Sequence, residues 1–489
     1  MLVAEVIKQG APERIALYGA TPVTYRELGI QVGRYREVLA GKGITRGDRV
    51  GLLATNSPAF MYTYFAAQQL GAVTVPLNSM LTDAEADYIV RDAGVRLLVS
   101  MKPVDVATDV LLLGELAELA QAVGEPGPAP DLTEVAETAV CTLIYTSGTT
   151  GRPKGAMLSH RNLVSNVRQF NQALPHRAED NVLCALPMYH CFGWTTCVMN
   201  PLLVGAGITP VASPLPSEIT KAIATYGVTV VFLVPPLYHL LLRSGEVEAL
   251  DSVRLFVSGG ASLPEPVAKG FAEGFGRPIL EGYGLSEASP VVAVNLESKN
   301  KIFSIGPALP TVDVRIDGTD PAHYTAGTIG ELLVRGDNVM SGYWNLPEAS
   351  AEALKDGWLH TGDLAYMDED RYIYIVDRSK DMIIVNGENV YPREVEDAMY
   401  RYPGVSEVAV VGHKDGLRGQ YVCAYVVMKD GETFDKQQMR RFLSEQLAGF
   451  KLPRKYVVLD ALPKNSTGKI LKRVLQESET FAADGSDGQ

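Results

Sequence analysis

A glycine- and hydroxyl-rich segment that ends in lysine carries the most specific chemical signal in the chain. It reads Tyr-Thr-Ser-Gly-Thr-Thr-Gly-Arg-Pro-Lys-Gly over Tyr145–Gly155 and follows an apolar run at Val140–Ile144. Its glycines allow successive backbone N–H groups to converge on an anion, and Lys154 adds positive charge. The spacing does not fit a Walker A loop. A flexible surface turn would explain the glycines but not the lysine or the preceding strand, so we predict a phosphate-binding loop.

A second segment, Glu281–Glu287, combines glycines, an aromatic ring and carboxylates. It reads Glu-Gly-Tyr-Gly-Leu-Ser-Glu. It lacks the third glycine of a dinucleotide fingerprint and the last glycine of a hydrolase nucleophile elbow. Tyr283, between two glycines, could present its ring face to a nucleobase. Glu287 is a hard oxygen ligand suited to Mg²⁺ beside phosphates, although in isolation it would be read as a solvated surface acid.

Three further charged residues could bind parts of a nucleotide. Asp363 ends the run Trp358–Asp363, Arg378 follows the next alternating segment, and Lys469 follows a glycine near the end of the chain. A carboxylate can accept hydrogen bonds from both ribose hydroxyls, and a guanidinium can bind the same sugar or a phosphate. Each residue alone would be read as a turn aspartate, a surface ion pair or a solvated lysine, so their assignment depends on the whole set.

Apolar runs that alternate with helical patterns must position these residues. Helices are predicted at 58–70 and 236–243, and strands are predicted at 48–54, 72–77, 96–100, 228–233 and 253–257. Such alternation is typical of parallel sheets. The predicted fold class is α/β, with a large N-terminal domain of stacked sheets and helices and a small, mobile α+β C-terminal domain.

The predicted domain boundary lies near Lys380. Residues 1–379 form the predicted N-terminal domain, and residues 380–489 form the predicted C-terminal domain. Within them we expect a surface linker at 124–130, a hairpin at 368–377 and strands at 407–412 and 421–428. The residues after about 480 are small and polar, which is typical of a disordered terminus.

Composition excludes several classes of protein. The chain has 489 residues, enough for about three domains, and 46% of them are hydrophobic while 21% are charged. These values are typical of a globular protein rather than of a disordered, collagen-like or disulfide-stapled chain. The formal net charge of −13 argues against a nucleic-acid partner.

The sequence also bears on location. The first residues lack the pattern of a signal peptide. Residues 181–217 carry no formal charge, but prolines and glycines interrupt them, so we predict buried structure around an apolar pocket rather than a membrane segment. Five cysteines without a CxxC pair favour reduced core thiols and a cytoplasmic location. A zinc site at Cys184, His190, Cys191 and Cys197 would have unusual spacing.

Taken together, these segments resemble the core motifs of the adenylate-forming superfamily, which contains acyl-CoA synthetases, luciferases and nonribosomal-peptide adenylation domains. The resemblance runs from Tyr25 to Lys469 and includes further matches at Pro187–His190, Ser258–Ala261 and Asn386–Glu396. It implies an AMP-forming acyl-CoA synthetase. Such an enzyme joins a carboxylate to the α-phosphate of ATP with release of pyrophosphate, and then passes the acyl group to CoA. The implied cofactors are ATP, Mg²⁺ and CoA.

The resemblance also implies a role for each matching residue. The implied catalytic residues are Lys469, Glu287 and His190, and the implied metal ligands are Thr146 and Glu287. The residues implied to bind nucleotide or CoA are Thr146, Ser147, Gly148, Thr149, Thr150, Gly151, Lys154, Gly259, Gly260, Ala261, Glu281, Gly282, Tyr283, Gly284, Ser286, Asp363, Ile375, Arg378, Lys380 and Gly387. The resemblance implies that residues 1–379 form an ATP- and acyl-binding domain and that residues 380–489 form a mobile lid. In the family, the small domain rotates at the position of Lys380, which withdraws Lys469 and brings in the region of Gly387 to shape the thiol channel.

The acyl substrate is predicted from the pocket residues that match, which are His190, Trp194, Pro235 and Gly284. The stretch after Pro187 lacks the aspartate that pairs with a substrate ammonium in amino-acid-activating relatives, and an unpaired ammonium in an apolar pocket is costly. Trp194 lies four residues after His190, where some long-chain ligases carry a gating tryptophan. A core tryptophan is the equal alternative. We therefore expect a medium- or long-chain fatty acid, with an aryl acid as the alternative.

The sequence departs from the family motifs at two places, and two other classes of function remain open. Ser286 stands where threonine is usual, and Asn465–Thr467 replaces the usual residues before the Gly-Lys pair. A ligase that loads a carrier protein would make the same adenylate and would need a partner chain. A non-catalytic binding protein is disfavoured by the charged residues that remain. No nucleic-acid partner or transmembrane segment is expected, and a homodimer is left open.

Overall fold

The computed structural model of the protein describes residues 1–146, 152–245, 248–319, 324–415, 419–464 and 469–477. Within these ranges, strands and helices alternate up to about residue 294, and antiparallel strands dominate after it. The strands are β1 (Ile15–Leu17), β2 (Val23–Thr24), β3 (Arg49–Leu53), β4 (Val73–Leu77), β5 (Val95–Ser100), β6 (Asp109–Leu112), β7 (Val140–Thr146), β8 (Lys154–Ser159), β9 (Asn181–Cys184), β10 (Gly207–Pro210), β11 (Val230–Leu233), β12 (Leu255–Ser258), β13 (Ile279–Gly284), β14 (Val291–Val294), β15 (Asp313–Ile316), β16 (Gly330–Arg335), β17 (Leu359–Met367), β18 (Ile373–Arg378), β19 (Ile383–Val385), β20 (Glu388–Val390), β21 (Val405–Asp415), β22 (Gly419–Met428) and β23 (Lys455–Val458).

The helices cover the faces of these sheets. They are α1 (Tyr25–Gly41), α2 (Pro58–Gln69), α3 (Asp83–Ala93), α4 (Leu113–Ala122), α5 (His160–Ala173), α6 (Asn200–Val204), α7 (Pro216–Tyr226), α8 (Pro235–Ser244), α9 (Glu265–Phe275), α10 (Pro347–Ala353), α11 (Pro392–Tyr400), α12 (Lys436–Ser444) and α13 (Lys472–Glu477). A π-helix spans Gly193–Met199, and short 3-10 helices span Val3–Lys8, Glu248–Leu250, Ser286–Ala288, Lys355–Gly357, Ser379–Asp381 and Gly449–Lys451.

The predicted α/β fold is confirmed. The five predicted strands correspond to β3, β4, β5, β11 and β12, and the two predicted helices correspond to α2 and α8, with ends that shift by one or two residues. The segment 124–130, predicted to be a surface linker, has no regular structure and is mostly exposed. The terminal residues after 480, predicted to be disordered, lie outside the described residues.

Two sheets that are mainly parallel carry the N-terminal part of the chain. In the described residues, one has the order β14-β13-β12-β11-β9-β10-β1-β2, with only β14 and β2 antiparallel to their neighbours. The other has the order β6-β5-β3-β4-β7-β8, with β8 antiparallel to β7. Because the carboxyl ends of parallel strands meet at one edge, the loops after β12 and β13 are brought together.

Helix α2 is buried on nearly every side. It begins after Ser57, whose hydroxyl accepts a hydrogen bond from the N–H of Phe60, and Pro58 occupies its first position. Phe60, Tyr64 and Phe65 are fully buried. The helix therefore supplies a wall of aromatic rings, which a sequence without helical amphipathicity does not reveal.

The predicted hairpin at 368–377 forms with a different first strand. Its two strands are β17 and β18, so residues 368–372 form the turn. Asp368 closes this turn because its Oδ1 accepts hydrogen bonds from the N–H groups of Asp370 and Tyr372, each at 2.9 Å. The earlier strand was missed because the run that contains Thr361 and Gly362 does not alternate cleanly. The hairpin belongs to an antiparallel sheet of order β15-β16-β17-β18.

The region after Lys380 has its own sheet and core. The order is β20-β19-β22-β21, with β23 parallel to β22, and β21 and β22 contain the two predicted strands. Strands β19 and β20 are joined by Asn386 and Gly387, which have φ values of 53° and 87°. These angles are typical of an Asn-Gly hairpin turn. Helices α11 and α12 pack on this sheet around Val395, Met399 and Leu443.

The apolar stretch 181–217 is internal. It forms β9, the π-helix, α6 and β10, and most of its side chains up to residue 211 are buried. No described helix is both long and apolar enough to cross a membrane. The five cysteines are unpaired and buried, and within the described ranges no three metal-ligating side chains converge.

Candidate active site

The loops after β12 and β13 form one edge of the site. Ser258 at the end of β12 lies opposite Glu281 of β13, so Gly259 and Gly260 run beside Gly282 and Tyr283. A Cβ atom on Gly259 would lie 2.9 Å from Cζ of Phe192, which leaves no room for a side chain there. Glycine therefore lets the Phe192 ring pack directly against the backbone. Ala261 follows on the same loop.

Tyr283, Asp363 and Arg378 form one hydrogen-bonded group. The hydroxyl of Tyr283 donates to Oδ2 of Asp363, and Nε of Arg378 lies 3.3 Å from Oδ1 of the same carboxylate. Asp363 and Arg378 are opposed residues of β17 and β18. Burial and the negative charge of Asp363 raise the pKa of Tyr283. The phenol therefore stays protonated as a donor, and its ring is fixed beside a buried carboxylate.

Glu331 holds the turn that presents Asp363. Its Oε1 accepts a hydrogen bond from the N–H of Gly362 at 2.8 Å, and its Oε2 lies 2.9 Å from Nδ1 of His360. The hydroxyl of Thr361 donates to the carbonyl of Leu332. The role of Glu331 could not be predicted from the sequence, because its partners lie on the neighbouring strand. A glutamate in an alternating segment does not by itself indicate a function.

The described ends of the predicted phosphate loop face each other. Thr146, the last residue of β7, pairs with Lys154, the first residue of β8. The residues predicted between them to bind phosphate, Ser147, Gly148, Thr149, Thr150 and Gly151, lie outside the described residues. The Nζ atom of Lys154 lies 5.2 Å from the centroid of the Tyr343 ring. The lysine is thus held at the mouth of the loop by a cation–π contact.

Glu287 follows β13 in a short 3-10 helix together with Ser286. Its backbone carbonyl accepts a hydrogen bond from the N–H of Met340 at 2.8 Å. Its Oε1 accepts a hydrogen bond from the Tyr343 hydroxyl at 2.9 Å. A carboxylate fixed beside the lysine of a phosphate loop is a hard oxygen ligand where Mg²⁺ would accompany phosphates, so the donor chemistry fits that ion.

Lys469 reaches the same site from the C-terminal part of the chain. Burial and the nearby Arg378 guanidinium lower its pKa to about 8. His190 lies close to it, and burial together with the Lys469 ammonium lowers the pKa of His190 to about 4. His190 is therefore neutral near pH 7, and its Nδ1 accepts a hydrogen bond from the N–H of Phe192 at 3.2 Å. The structure thus brings together a cation, a neutral imidazole and the Asp363 group.

Trp194 lies in the π-helix against the aromatic wall of α2. Its ring centroid is 4.0 Å from that of Tyr64, 5.5 Å from that of Phe65 and 5.7 Å from that of Phe60. Its indole N–H is buried and has no hydrogen-bond partner among the residues that the structure describes. Pro235 is a buried residue at the start of α8, and Gly284 ends β13, where its backbone contacts Pro290.

The C-terminal sheet is connected to the rest through Lys380, which lies in the 3-10 helix Ser379–Asp381. Burial and the neighbouring Arg378 lower the pKa of Lys380. Gly387 lies at the tip of the β19–β20 hairpin. Among the described residues, no hydrogen bond joins it to Tyr283, Asp363 or Arg378. Its predicted role concerns another arrangement of the two parts.

Arg393 of α11 docks the C-terminal part in the observed arrangement. Its Nη1 donates to the carbonyl of Ile375 at 2.7 Å, and its backbone N–H donates to Oδ2 of Asp377 at 2.8 Å. Burial raises the pKa of Glu281 to about 7, a shift that the Arg393 guanidinium opposes. Arg393 lies within a matched motif, but its contact with β18 could not be read from spacing. Glu281 also accepts a hydrogen bond from the N–H of Leu263.

Comparisons with known proteins identify the family of the chain. A family model described as AMP-binding enzyme matches residues 4–344, and a model described as AMP-binding enzyme C-terminal domain matches residues 394–469. A feruloyl-CoA synthase of Amycolatopsis is 39% identical over 93% of this chain and 94% of that protein. A long-chain-fatty-acid–CoA ligase of Bacillus subtilis is 33% identical over 95% and 91%. ATP-bound MatB from Rhodopseudomonas palustris superposes with a TM-score of 0.91 at 33% identity, over 99% of each chain.

Proposed function

The chain belongs to the family of AMP-binding enzymes and is an AMP-forming acyl-CoA synthetase, and we propose that it activates a carboxylic acid with an apolar tail through the residues around Asp363 and Lys469. The observation that carries this proposal is the convergence of Tyr283, Asp363, Arg378 and Lys469 beside His190. These side chains come from both parts of the chain. Together they offer a ring face, a ribose acceptor and two cations.

In the first half-reaction, the substrate carboxylate attacks the α-phosphorus of ATP and pyrophosphate leaves. Asp363 accepts hydrogen bonds from the ribose hydroxyls, and the ring of Tyr283 packs on adenine beside Gly259–Ala261. Lys469 bridges the acid and the α-phosphate, where its charge opposes the negative charge that builds up in the transition state. Lys154 and the backbone of its loop bind the β- and γ-phosphates.

Mg²⁺, when bound, neutralises charge on the transferred phosphates and on the departing pyrophosphate. Thr146 and Glu287 are the residues that would hold it. Glu287 is oriented for this by the Tyr343 hydroxyl and by the backbone bond to Met340.

In the second half-reaction, the CoA thiol attacks the acyl carbon and AMP leaves. We propose that residues 380–489 rotate about Lys380, so that Lys469 departs and the hairpin carrying Gly387 approaches the acyl-adenylate. The contacts that must break include those of Arg393 with Ile375 and Asp377. We propose that the observed arrangement, with Lys469 beside His190, is the one used in the first half-reaction.

The tail of the acid is proposed to be a medium- or long-chain alkyl group. Residues 181–217, which are predicted to surround the acyl pocket, carry no formal charge apart from the ionisable His190, and most of them up to residue 211 are buried. Trp194 is held by ring packing alone, because no described residue accepts a hydrogen bond from its indole N–H. No hydrogen bond from the indole to a described residue has to break when this ring turns, so we propose that it moves aside for an alkyl chain.

An aryl acid is the second candidate. It is supported by the 39% identity with a feruloyl-CoA synthase and by the ring of Phe192, which packs against Gly259. A carrier protein could replace CoA as the acyl acceptor, and the buried, unpaired cysteines support a cytoplasmic location.

The proposal is tested by pyrophosphate release from ATP with a panel of acids, with and without CoA. The panel contains straight-chain acids from four to sixteen carbons, benzoate, and hydroxycinnamates such as ferulate. A CoA-dependent rate that rises with alkyl length supports the fatty acid, and a rate confined to ring acids supports the aryl candidate. A single burst that CoA does not extend would indicate a carrier-protein acceptor. Activity with charged amino acids alone would contradict the proposal.

A further inference from the structure

Tyr343 connects two side chains that are far apart in sequence and both face the phosphates in the proposed site. Its hydroxyl donates to Oε1 of Glu287 at 2.9 Å, and its ring carries the ammonium of Lys154 at 5.2 Å from the centroid. A single side chain therefore contacts both a carboxylate assigned to Mg²⁺ and the lysine of the phosphate loop. Nothing in the sequence singled out this tyrosine.

The backbone around Tyr343 is fixed to the same strand that carries Lys154. Tyr343 forms an isolated bridge with Ala156 of β8, and the N–H of Trp344 donates to the carbonyl of Gly155 at 2.7 Å. The N–H of Tyr343 donates to Oγ of Ser350 at 2.8 Å. Tyr343 is thus held beside strand β8 by backbone contacts.

The arrangement keeps a cation and an anion apart. Lys154 lies over the ring face, whereas Glu287 is bound at the ring's hydroxyl edge. Within the described residues, no ion pair joins the two. A lysine that paired directly with Glu287 would neutralise the carboxylate needed for a metal and the charge needed for phosphates.

We propose that Tyr343 is a positioning residue that orients Glu287 toward Mg²⁺ and holds Lys154 off that carboxylate. The proposal rests on the proposed function, because it takes Glu287 as the metal ligand. Partners that hydrogen-bond to a metal ligand fix its orientation, and their removal weakens metal affinity by about 10- to 100-fold. Tyr343→Phe keeps the ring beneath Lys154 and removes only the hydroxyl bound to Glu287.

The test measures the advantage that Mg²⁺ gives to ATP binding, by titration calorimetry in the absence of any acid. The quantity is the ratio of the Kd for ATP in EDTA to the Kd for Mg²⁺·ATP. We expect Tyr343→Phe to lower this ratio about tenfold while the Kd in EDTA changes little. Tyr374→Phe is the matched control, because it removes another tyrosine–carboxylate bond, to Asp368, outside the site. It is expected to retain the wild-type ratio.

Glu287→Gln separates this inference from the proposed function. If Glu287→Gln leaves the ratio unchanged, the assignment of Glu287 to Mg²⁺ is wrong. If Glu287→Gln lowers the ratio but Tyr343→Phe does not, the role of Tyr343 is wrong and that of Glu287 stands. In the Glu287→Gln background, Tyr343→Phe is expected to add no further loss.

A second variant keeps the test decisive if the phenylalanine protein is too unstable to purify. Tyr343→His retains a planar ring and a ring N–H donor, but its donor reaches less far than a phenol. The same reduction of the ratio is expected. A wild-type ratio in whichever of the two variants folds would overturn the proposal.

Discussion

Asp363 and Arg378 face each other as opposed residues of β17 and β18, with Nε of Arg378 3.3 Å from Oδ1 of Asp363. The carboxylate is buried, and its other oxygen accepts a hydrogen bond from Tyr283. The pairing of the two strands, which shifts register only beyond Leu364, thus places an acidic acceptor opposite a cation. We propose that this pair binds the ribose of ATP.

Asp363→Ala is expected to raise the KM for ATP by tenfold or more, since charged hydrogen bonds contribute about 1.5–3 kcal/mol each. The loss should be smaller for 2′-deoxy-ATP, which lacks one of the hydroxyls. Asp313→Ala is the matched control, because Asp313 and Arg335 form an exposed cross-strand pair of the same kind. Equal effects of the two variants on the KM for ATP would refute the ribose assignment.

The pH dependence of adenylation is expected to follow Lys469. Its lowered pKa of about 8 means that the ammonium is present below pH 8 and is lost as the pH rises through that value. The kcat/KM for adenylation, which reports groups of the free enzyme, should therefore fall between pH 7 and pH 9. His190, with a pKa of about 4, should add no step in this range.

Lys469→Arg provides the control for this profile. A guanidinium keeps its charge up to pH 9, so its profile should be flat above pH 7.5, whatever its absolute rate. Burial raises the pKa of Glu281 to about 7. Glu281 is present in both proteins, so its titration affects both profiles equally. The same fall in both proteins would assign the titration to another group.

Much of this site could be predicted from the sequence, for physical reasons that are visible at particular residues. Apolar runs such as those that became β3 and β12 are set by local patterning, and the glycines beside Tyr283 mark a close backbone approach. Glu331 and Tyr343 escaped detection because their roles come from neighbours that are distant in the chain. The hairpin of β17 and β18 was predicted too far along the chain, because the turn at Asp368 is closed by a side chain.

Arg393→Ala is expected to slow adenylation by about tenfold while largely sparing thioester formation. The variant loses a charged hydrogen bond to the Ile375 carbonyl, which holds the C-terminal part where Lys469 reaches the site. The measurement compares acid-dependent ATP–pyrophosphate exchange with CoA capture of a supplied acyl-adenylate. Arg454→Ala removes an ion pair with Asp415 that lies within the C-terminal part and should change neither rate appreciably. Parallel losses in both half-reactions would contradict a docking role for Arg393.

Trp194→Ala distinguishes the two interpretations of that ring. Truncation leaves a cavity among Tyr64, Phe65 and Phe60, so we expect the free energy of unfolding to fall by about 3–5 kcal/mol. If the ring also limits the alkyl channel, the longest acid accepted should lengthen relative to the wild type. Phe271→Ala, in a separate core cluster, is the control for destabilisation alone. Unchanged chain-length preference would leave Trp194 a core residue and remove the gate from the account.

The most direct test of the account measures both half-reactions of Lys469→Ala on one folded preparation. Acid-dependent ATP–pyrophosphate exchange reports adenylation, and thioester formation from synthetic acyl-adenylate and CoA reports the second step. Loss of a single group that stabilises transition-state charge lowers rates by about 10²- to 10³-fold. We predict that loss in the first measurement, with the second within a few-fold of the wild type. Survival of adenylation, or equal loss of both steps, would contradict the assignment of Lys469 to the adenylation site.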